Sequence, residues 1–123
     1  MKGNYHLNKK ILEVGEENCF VSEITVAELK YGIKNSKTPL QVRNLVDVFI
    51  SRFSVIPIFN SIDIYAKEKA KLRQTGLIID DFDILIGATA VANNMIMVTN
   101  NVGHFNRLGN IEIEDWTSLA PNN

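Results

Sequence analysis

The sequence predicts an α/β fold, a mainly parallel sheet flanked by helices in three layers. Three observations carry this expectation. Short apolar runs of strand length (CFVS, SVIPI and MIMV) alternate with longer segments of helical periodicity. MIMV is too apolar for an exposed edge, as expected of a strand covered on both faces. No repeat, low-complexity tract or Pro/Gly/Ser linker divides the 123 residues, a length that suits one domain and is short for two. Such alternation stacks helices on the faces of one sheet, so residues 1–123 read as a single domain.

The elements follow in order. A polar lead-in from His6 to Val14 has helical character, and CFVS is a strand ending at Ser22. Cys19, the single cysteine, cannot form an internal disulfide and reads as a small buried side chain rather than a nucleophile. Thr25-Val26-Ala27-Glu28 has the pattern of a capping box, and Ser22 with Thr25 offers a start one turn earlier. Val26, Leu29 and Ile33 form the apolar stripe of that helix, with Glu23, Lys30 and Lys34 on other faces. In PLQVRNLVDVFISRF the apolar residues Val42, Leu45, Val46, Phe49 and Ile50 recur at helical spacing, and Pro39 suits a first turn. SVIPI, residues 54–58, is extended, with Pro57 marking a strand end or an edge. Ser61 is expected to cap a third helix running to about Gln74, before Gly76, with Phe59 and Tyr65 in the core. DDFDILIGATAVANN is apolar nearly all round in its helical part and belongs at the centre, followed by the strand Met95–Val98. Ile111-Glu112-Ile113 alternates as a last strand, on which Trp116 packs.

Thirteen basic against fourteen acidic residues leave a net charge of -1, so attraction to nucleic acid requires a local patch. Lys67, Lys69, Lys71 and Arg73 on the third helix offer one, although such a run also serves simply as a solvated face. No apolar stretch approaches a membrane span, and MKGNYHLNKK lacks the apolar core of a signal peptide, so the expected compartment is cytoplasmic.

In a parallel sheet the strand C-termini and the following helix N-termini share one edge, where ligand sites form. Glu28, Asp83, and Asn100 with Asn101 after MIMV all fall there. Two carboxylates meeting in one cleft repel each other unless protons or a cation neutralise them. A hard divalent ion is suited to that role, and its bound water can attack a phosphodiester. Acids in a first helical turn are also favoured by the macrodipole, so Glu28, Asp80, Asp81 and Asp83 each have a plain structural role as well. Asp83 stands apart because it directly precedes the apolar run ILIGATA, which leaves Asp80 or Asp81 as the cap. A receiver-like or phosphatase domain using Asp80 and Asp81 is disfavoured, since those acids precede a helix rather than end a clear strand.

SEITVAELKYG, DDFDILIGATA and MVTNNVGHF, in this order and spacing, resemble the PIN-domain toxins of the VapC type, over nearly the whole chain from CFVS to IEDW. The resemblance implies a parallel sheet flanked by helices and an acidic Mg²⁺ or Mn²⁺ site that cleaves RNA. It also implies a homodimer and an antitoxin that wraps the toxin. By position, it implies metal ligation by Glu28 and Asp83, with Asn101 where relatives often carry a further acid. Thr25 and Thr99 are expected to orient waters, His104 to play a structural or supporting role, and Lys67, Lys71 and Arg73 to contact substrate phosphates. The Leu-Asp-Thr-Asn strand with which family members begin has no counterpart before Glu28, so the domain is expected to be N-terminally truncated. A metal-dependent endoribonuclease toxin and an inactive PIN remnant that binds an antitoxin or RNA are therefore both open.

Overall fold

The computed structural model describes residues 2–116, so Met1 and residues 117–123 of the expected domain lie outside the described residues. Helix α1 (Lys2–Val14) and a 3-10 turn lead to strand β1 (Phe20–Ser22). Helices α2 (Glu23–Lys34) and α3 (Pro39–Arg52) then precede β2 (Ser54–Ile56). A second 3-10 turn opens α4 (Ile62–Gln74), and α5 (Asp81–Ala92) leads into β3 (Ile96–Val98). The one-turn helix α6 (Val102–Phe105) and β4 (Glu112–Glu114) complete the described fold.

Among the described residues all strand pairing is parallel, as the alternation of elements predicts. It is divided between two pairs, however: β1 lies against β2 with Val21 opposite Val55, and β3 against β4 with Met97 opposite Ile113. Among the described residues the strands thus form two two-stranded parallel sheets.

The local chemistry of the helix ends explains most boundaries. Ser22 is the N-cap of α2, its hydroxyl accepting the Ile24 N–H at 3.1 Å, so the earlier start prevails over a box at Thr25. The backbone turns at Ser22 because β1 ends there, which leaves Thr25 already helical. Helices α4 and α5 close with the same motif. Leu77 N–H bonds to the Leu72 carbonyl and Gly76 N–H to that of Arg73, while Met95 and Asn94 do the same to Ala90 and Val91. Gly76 (φ 76°) and Asn94 (φ 53°) adopt the left-handed conformation this motif needs.

The main core joins α4, α5, α6 and β3 through Leu72, Ile79, Ile84, Met97, Phe105 and Leu108, with Tyr65 packed against it. Gly87 of α5 lets the Leu108 side chain approach, since a Cβ there would collide with the Leu108 methyl. Two expected core residues lie elsewhere. Phe59 is 80% exposed because it sits in the 3-10 turn that directs Ser61, not Phe59, inward. Leu45 is 72% exposed, since α3 centres its packing on the adjacent Val46, about 100° round the helix. Ser61 is at the N-cap of α4 as expected, but its hydroxyl makes no cap bond. Trp116 is buried beside the last strand and its indole N–H donates to Glu114 at 2.9 Å.

Candidate functional site

Helices α2 and α5 pack against one another and bring their N-terminal halves to a common edge. Because α2 begins at Glu23, Glu28 lies in its second turn, exposed. Asp83 lies in the first turn of α5, half-buried. The Glu28 carboxyl is held above the usual carboxylate range, first by partial desolvation and then by the negative charges of Asp83 and Asp80. Glu28, Asp80 and Asp83 thus form one electronegative edge.

The chain after β3 supplies the other side of that edge. The Thr99 hydroxyl accepts the Asn101 N–H at 3.0 Å, and the Asn101 carbonyl accepts the amides of His104 and Phe105. This wraps the chain into α6 and brings His104 Nε2 to 3.1 Å from Asp83 Oδ2. The His104 ring stands edge-on to Phe105, 5.3 Å between centroids, so the imidazole is held in place when it contacts the carboxylate. Asn101 is exposed at the N-cap of α6, where its side chain makes no cap bond.

Among the described residues, no three His, Cys, Asp or Glu side chains converge as a metal cage. Two carboxylates on one edge, with Glu28 lifted first by partial desolvation and then by the charge of Asp83, nevertheless suit a hard divalent cation that keeps most of its water.

The sequence pattern of the PIN domain matches residues 4–111. The chain belongs to the PIN-domain family. Ribonuclease VapC2 of Rickettsia felis is 36% identical over 114 residues, covering 92% of this chain and 84% of that protein. The tRNA(fMet)-specific endonuclease VapC of Salmonella typhimurium is 34% identical over 97 residues, 78% of this chain and 74% of its own length. Among solved structures, VapBC2 of Rickettsia felis bound to a promoter DNA fragment superposes with TM-score 0.82 at 35% identity, covering 92% of this chain and 85% of that one. DNA-bound VapBC of Salmonella typhimurium gives 0.85 at 29% identity, covering 90% and 84%. The α/β fold expected from the sequence is that of these relatives.

The other residues of this PIN domain singled out in the sequence fall into two groups. Thr25 borders a groove beside β1, and Thr99 serves the turn into α6. Lys67, Lys71 and Arg73 are exposed on α4, and among the described residues no hydrogen bond or ion pair joins them to Glu28 or Asp83. Lys71 instead lies 3.5 Å from Glu68.

Sequence reasoning missed the role of Asp81. Its carboxylate accepts from Tyr65 Oη at 3.0 Å and pairs with Lys69 Nζ at 2.8 Å, tying α5 to α4. The Lys69 hydrogen bond, then that of Tyr65, holds the Asp81 carboxyl below its usual range, and the Asp81 bond pushes Lys69 up. Neither Asp80 nor Asp81 caps α5 through its side chain, against expectation, because Asp81 is held by α4 and Asp80 contributes only its carbonyl, to Ile84 N–H. The i, i+4 spacing of Tyr65 and Lys69 was the available signal.

Proposed function

We propose that this chain is a divalent-metal-dependent endoribonuclease toxin of a toxin-antitoxin pair, hydrolysing RNA phosphodiester bonds at the edge formed by Glu28 and Asp83. The observation that carries the reading is the lifted Glu28 carboxyl beside Asp83 and Asp80, in a PIN domain whose relatives are named ribonucleases. Glu28 and Asp83 would hold Mg²⁺ or Mn²⁺, which when bound supplies positive charge to phosphate oxygens and acidifies a water.

The chain's own groups do the rest. Glu28 offers a carboxylate oxygen, and His104 fixes the Asp83 carboxylate so that one oxygen keeps a constant direction. Asn101 carries an amide able to hold a water or a phosphate oxygen without adding charge. Thr25 and Thr99 orient waters at the rim, and Lys67, Lys71 and Arg73 attract the backbone of a longer RNA at a distance from the acids. The partner is an antitoxin, as in the VapBC complexes that share the fold. Residues 1–123 form one PIN domain that works in the cytoplasm as a homodimer. Among the described residues no helix is long and apolar enough to cross a membrane.

A second reading, an inactive PIN remnant that still binds an antitoxin or RNA, draws on the small donor set at this edge. Incubating the chain with RNA in Mg²⁺ and in EDTA separates the two. The nuclease reading expects metal-dependent cleavage that Asp83→Asn abolishes, with His104→Ala reducing metal affinity by about 10–100-fold. RNA or antitoxin binding with no cleavage in Mg²⁺ or Mn²⁺ would establish the remnant.

A further inference from the structure

Glu28, Tyr31 and Gly32 of α2 are all exposed and, with Tyr31 and Gly32 three and four residues after Glu28, share one face of the helix. Tyr31 is 68% exposed, and among the described residues no hydrogen bond or ring contact engages its side chain. Gly32 is the less expected neighbour, because glycine in a helix is disfavoured relative to alanine. Other glycines have a reason inside the protein. Gly76 takes the left-handed conformation, and a Cβ at Gly87 or Gly109 would run into the side chain of Leu108 or Glu68. Gly32 has neither reason. Its φ is not positive, and a Cβ there would meet nothing within 4 Å. Gly103, exposed beside His104 in α6, is alike in both respects.

These two bare stretches of backbone bracket the acids. Asp83 acts on Glu28 on one side and contacts His104 at 3.1 Å on the other. The row therefore runs from Gly32 through Glu28, Asp83 and His104 to Gly103, with the Tyr31 ring at the Glu28 end. Side chains three residues apart on a helix stand about 5–6 Å from each other, so the ring is within reach of the base next to a phosphate held at Glu28. Lys34, exposed and three residues beyond Tyr31, adds a cation for the following phosphate.

We infer that Tyr31 is the platform on which the base beside the scissile phosphate stacks, and that Gly32 and Gly103 stay bare so that the backbone of a single-stranded RNA can lie against both helices. The inference rests on the nuclease reading of Glu28 and Asp83 and names the substrate of that site as single-stranded. Unpaired bases offer a free face to an aromatic ring, whereas those inside a duplex do not. Stacking tolerates any base, so Tyr31 selects an unpaired nucleotide rather than a particular sequence. An apolar protein segment fits less well, because the neighbours of Tyr31 on the helix surface include Glu28, Lys34 and Asn35 rather than an apolar patch.

The probe is a pool of single-stranded RNA of random sequence, carrying iodouridine and a terminal fluorescein, with a duplex of equal length for comparison. Anisotropy with the full chain in Ca²⁺ reads affinity, and irradiation joins the iodinated base to a ring stacked on it. The cross-link is expected at Tyr31. Tyr31→Ala removes it and weakens binding by about 5- to 100-fold, the worth of one base stack, whereas Tyr31→Phe keeps the affinity within about twofold. Gly32→Ala separates a binding role from a structural one. The variant melts about 2–5 °C higher, as a helical glycine replaced by alanine should, yet binds RNA more weakly. Gly103→Leu also weakens binding. Equal affinity for the duplex, or a Tyr31→Ala variant that binds like the parent chain, would overturn the inference. A Gly32→Ala variant that melts higher with RNA affinity unchanged would also overturn it and give this face to a protein partner. Cross-linking at Tyr31 without cleavage in Mg²⁺ or Mn²⁺ would support the inference and defeat the nuclease reading. Metal-dependent cleavage that Tyr31→Ala and Gly32→Ala leave at the parent rate and affinity would do the reverse.

Discussion

Around β3 and β4, six buried side chains from α4, α5, α6 and the adjoining segments close on one another, with Ile84 only 1% exposed at their centre. Around β1 and β2, burial falls to separate residues such as Val21, Ile33 and Val46, while Leu40, Leu45 and Val48 of α3 are 77%, 72% and 63% exposed. The same α/β logic built both regions, with a parallel pair and helices beside it. The C-terminal region completes its own core, whereas the N-terminal region leaves apolar surface on α3 and along β1. Cohesion is thus concentrated where Asp83 and His104 sit, and Glu28 is contributed by the looser side.

Ile84→Ala should break that contrast most forcefully, costing about 3–4 kcal/mol because the surrounding cluster cannot collapse onto the cavity. Leu45→Ala, at an exposed site, should change stability by less than about 0.5 kcal/mol. Urea unfolding of both variants measures the difference, and equal losses would mean that the two regions are not distinct.

Glu68→Ala comes next. This carboxylate is 5% exposed and accepts the Gly109 N–H at 2.5 Å, while its other oxygen lies 3.5 Å from the Lys71 ammonium without a hydrogen bond. Removing it strands the Gly109 amide and should cost about 1–3 kcal/mol. Unchanged stability would show that solvent takes over that amide at no cost.

Glu28→Gln gives the smallest effect and the opposite sign. A carboxyl lifted in the folded state binds its proton more tightly there than when unfolded, so stability falls as pH rises through the interval between its ordinary and lifted values. At pH 7 the glutamine variant should therefore melt higher. Because Glu28 is exposed and solvent screens its neighbours, the gain should be only about 1–2 °C. It should vanish below about pH 4, where the carboxyl is protonated in both states. Calorimetry at pH 7 and pH 3.5 checks both arms, and a gain that persists at the lower pH would exclude charge repulsion as the cause.

Element types and order were legible because periodicity and punctuation agree. Pro39 opens α3, Gly76 follows α4, and the apolar DILIGATA could only be a central helix. The pairing of Glu28 with Asp83 was also legible, since strand-to-helix turns of a parallel sheet share an edge. What stayed hidden depends on contacts between distant segments. Asp81 reads as a cap until Tyr65 and Lys69 of α4 are brought beside it. Phe59 reads as core until the turn before α4 points it outward, and the division of the sheet depends on which edges meet. His104 was noted beside Asn101, but nothing local indicates that α6 aims it at Asp83.

Residues 99–111 join two parallel strands, a task that ordinarily takes a dozen residues or more. That span has almost no slack. The β1-to-β2 crossover, with two whole helices, can gain or lose a turn and still return to register. A deletion of two or three residues between Val98 and Glu112 would shorten the crossover below its ordinary length and draw His104 off Asp83. Length variation is therefore better tolerated on the Glu28 side of the molecule than in this segment.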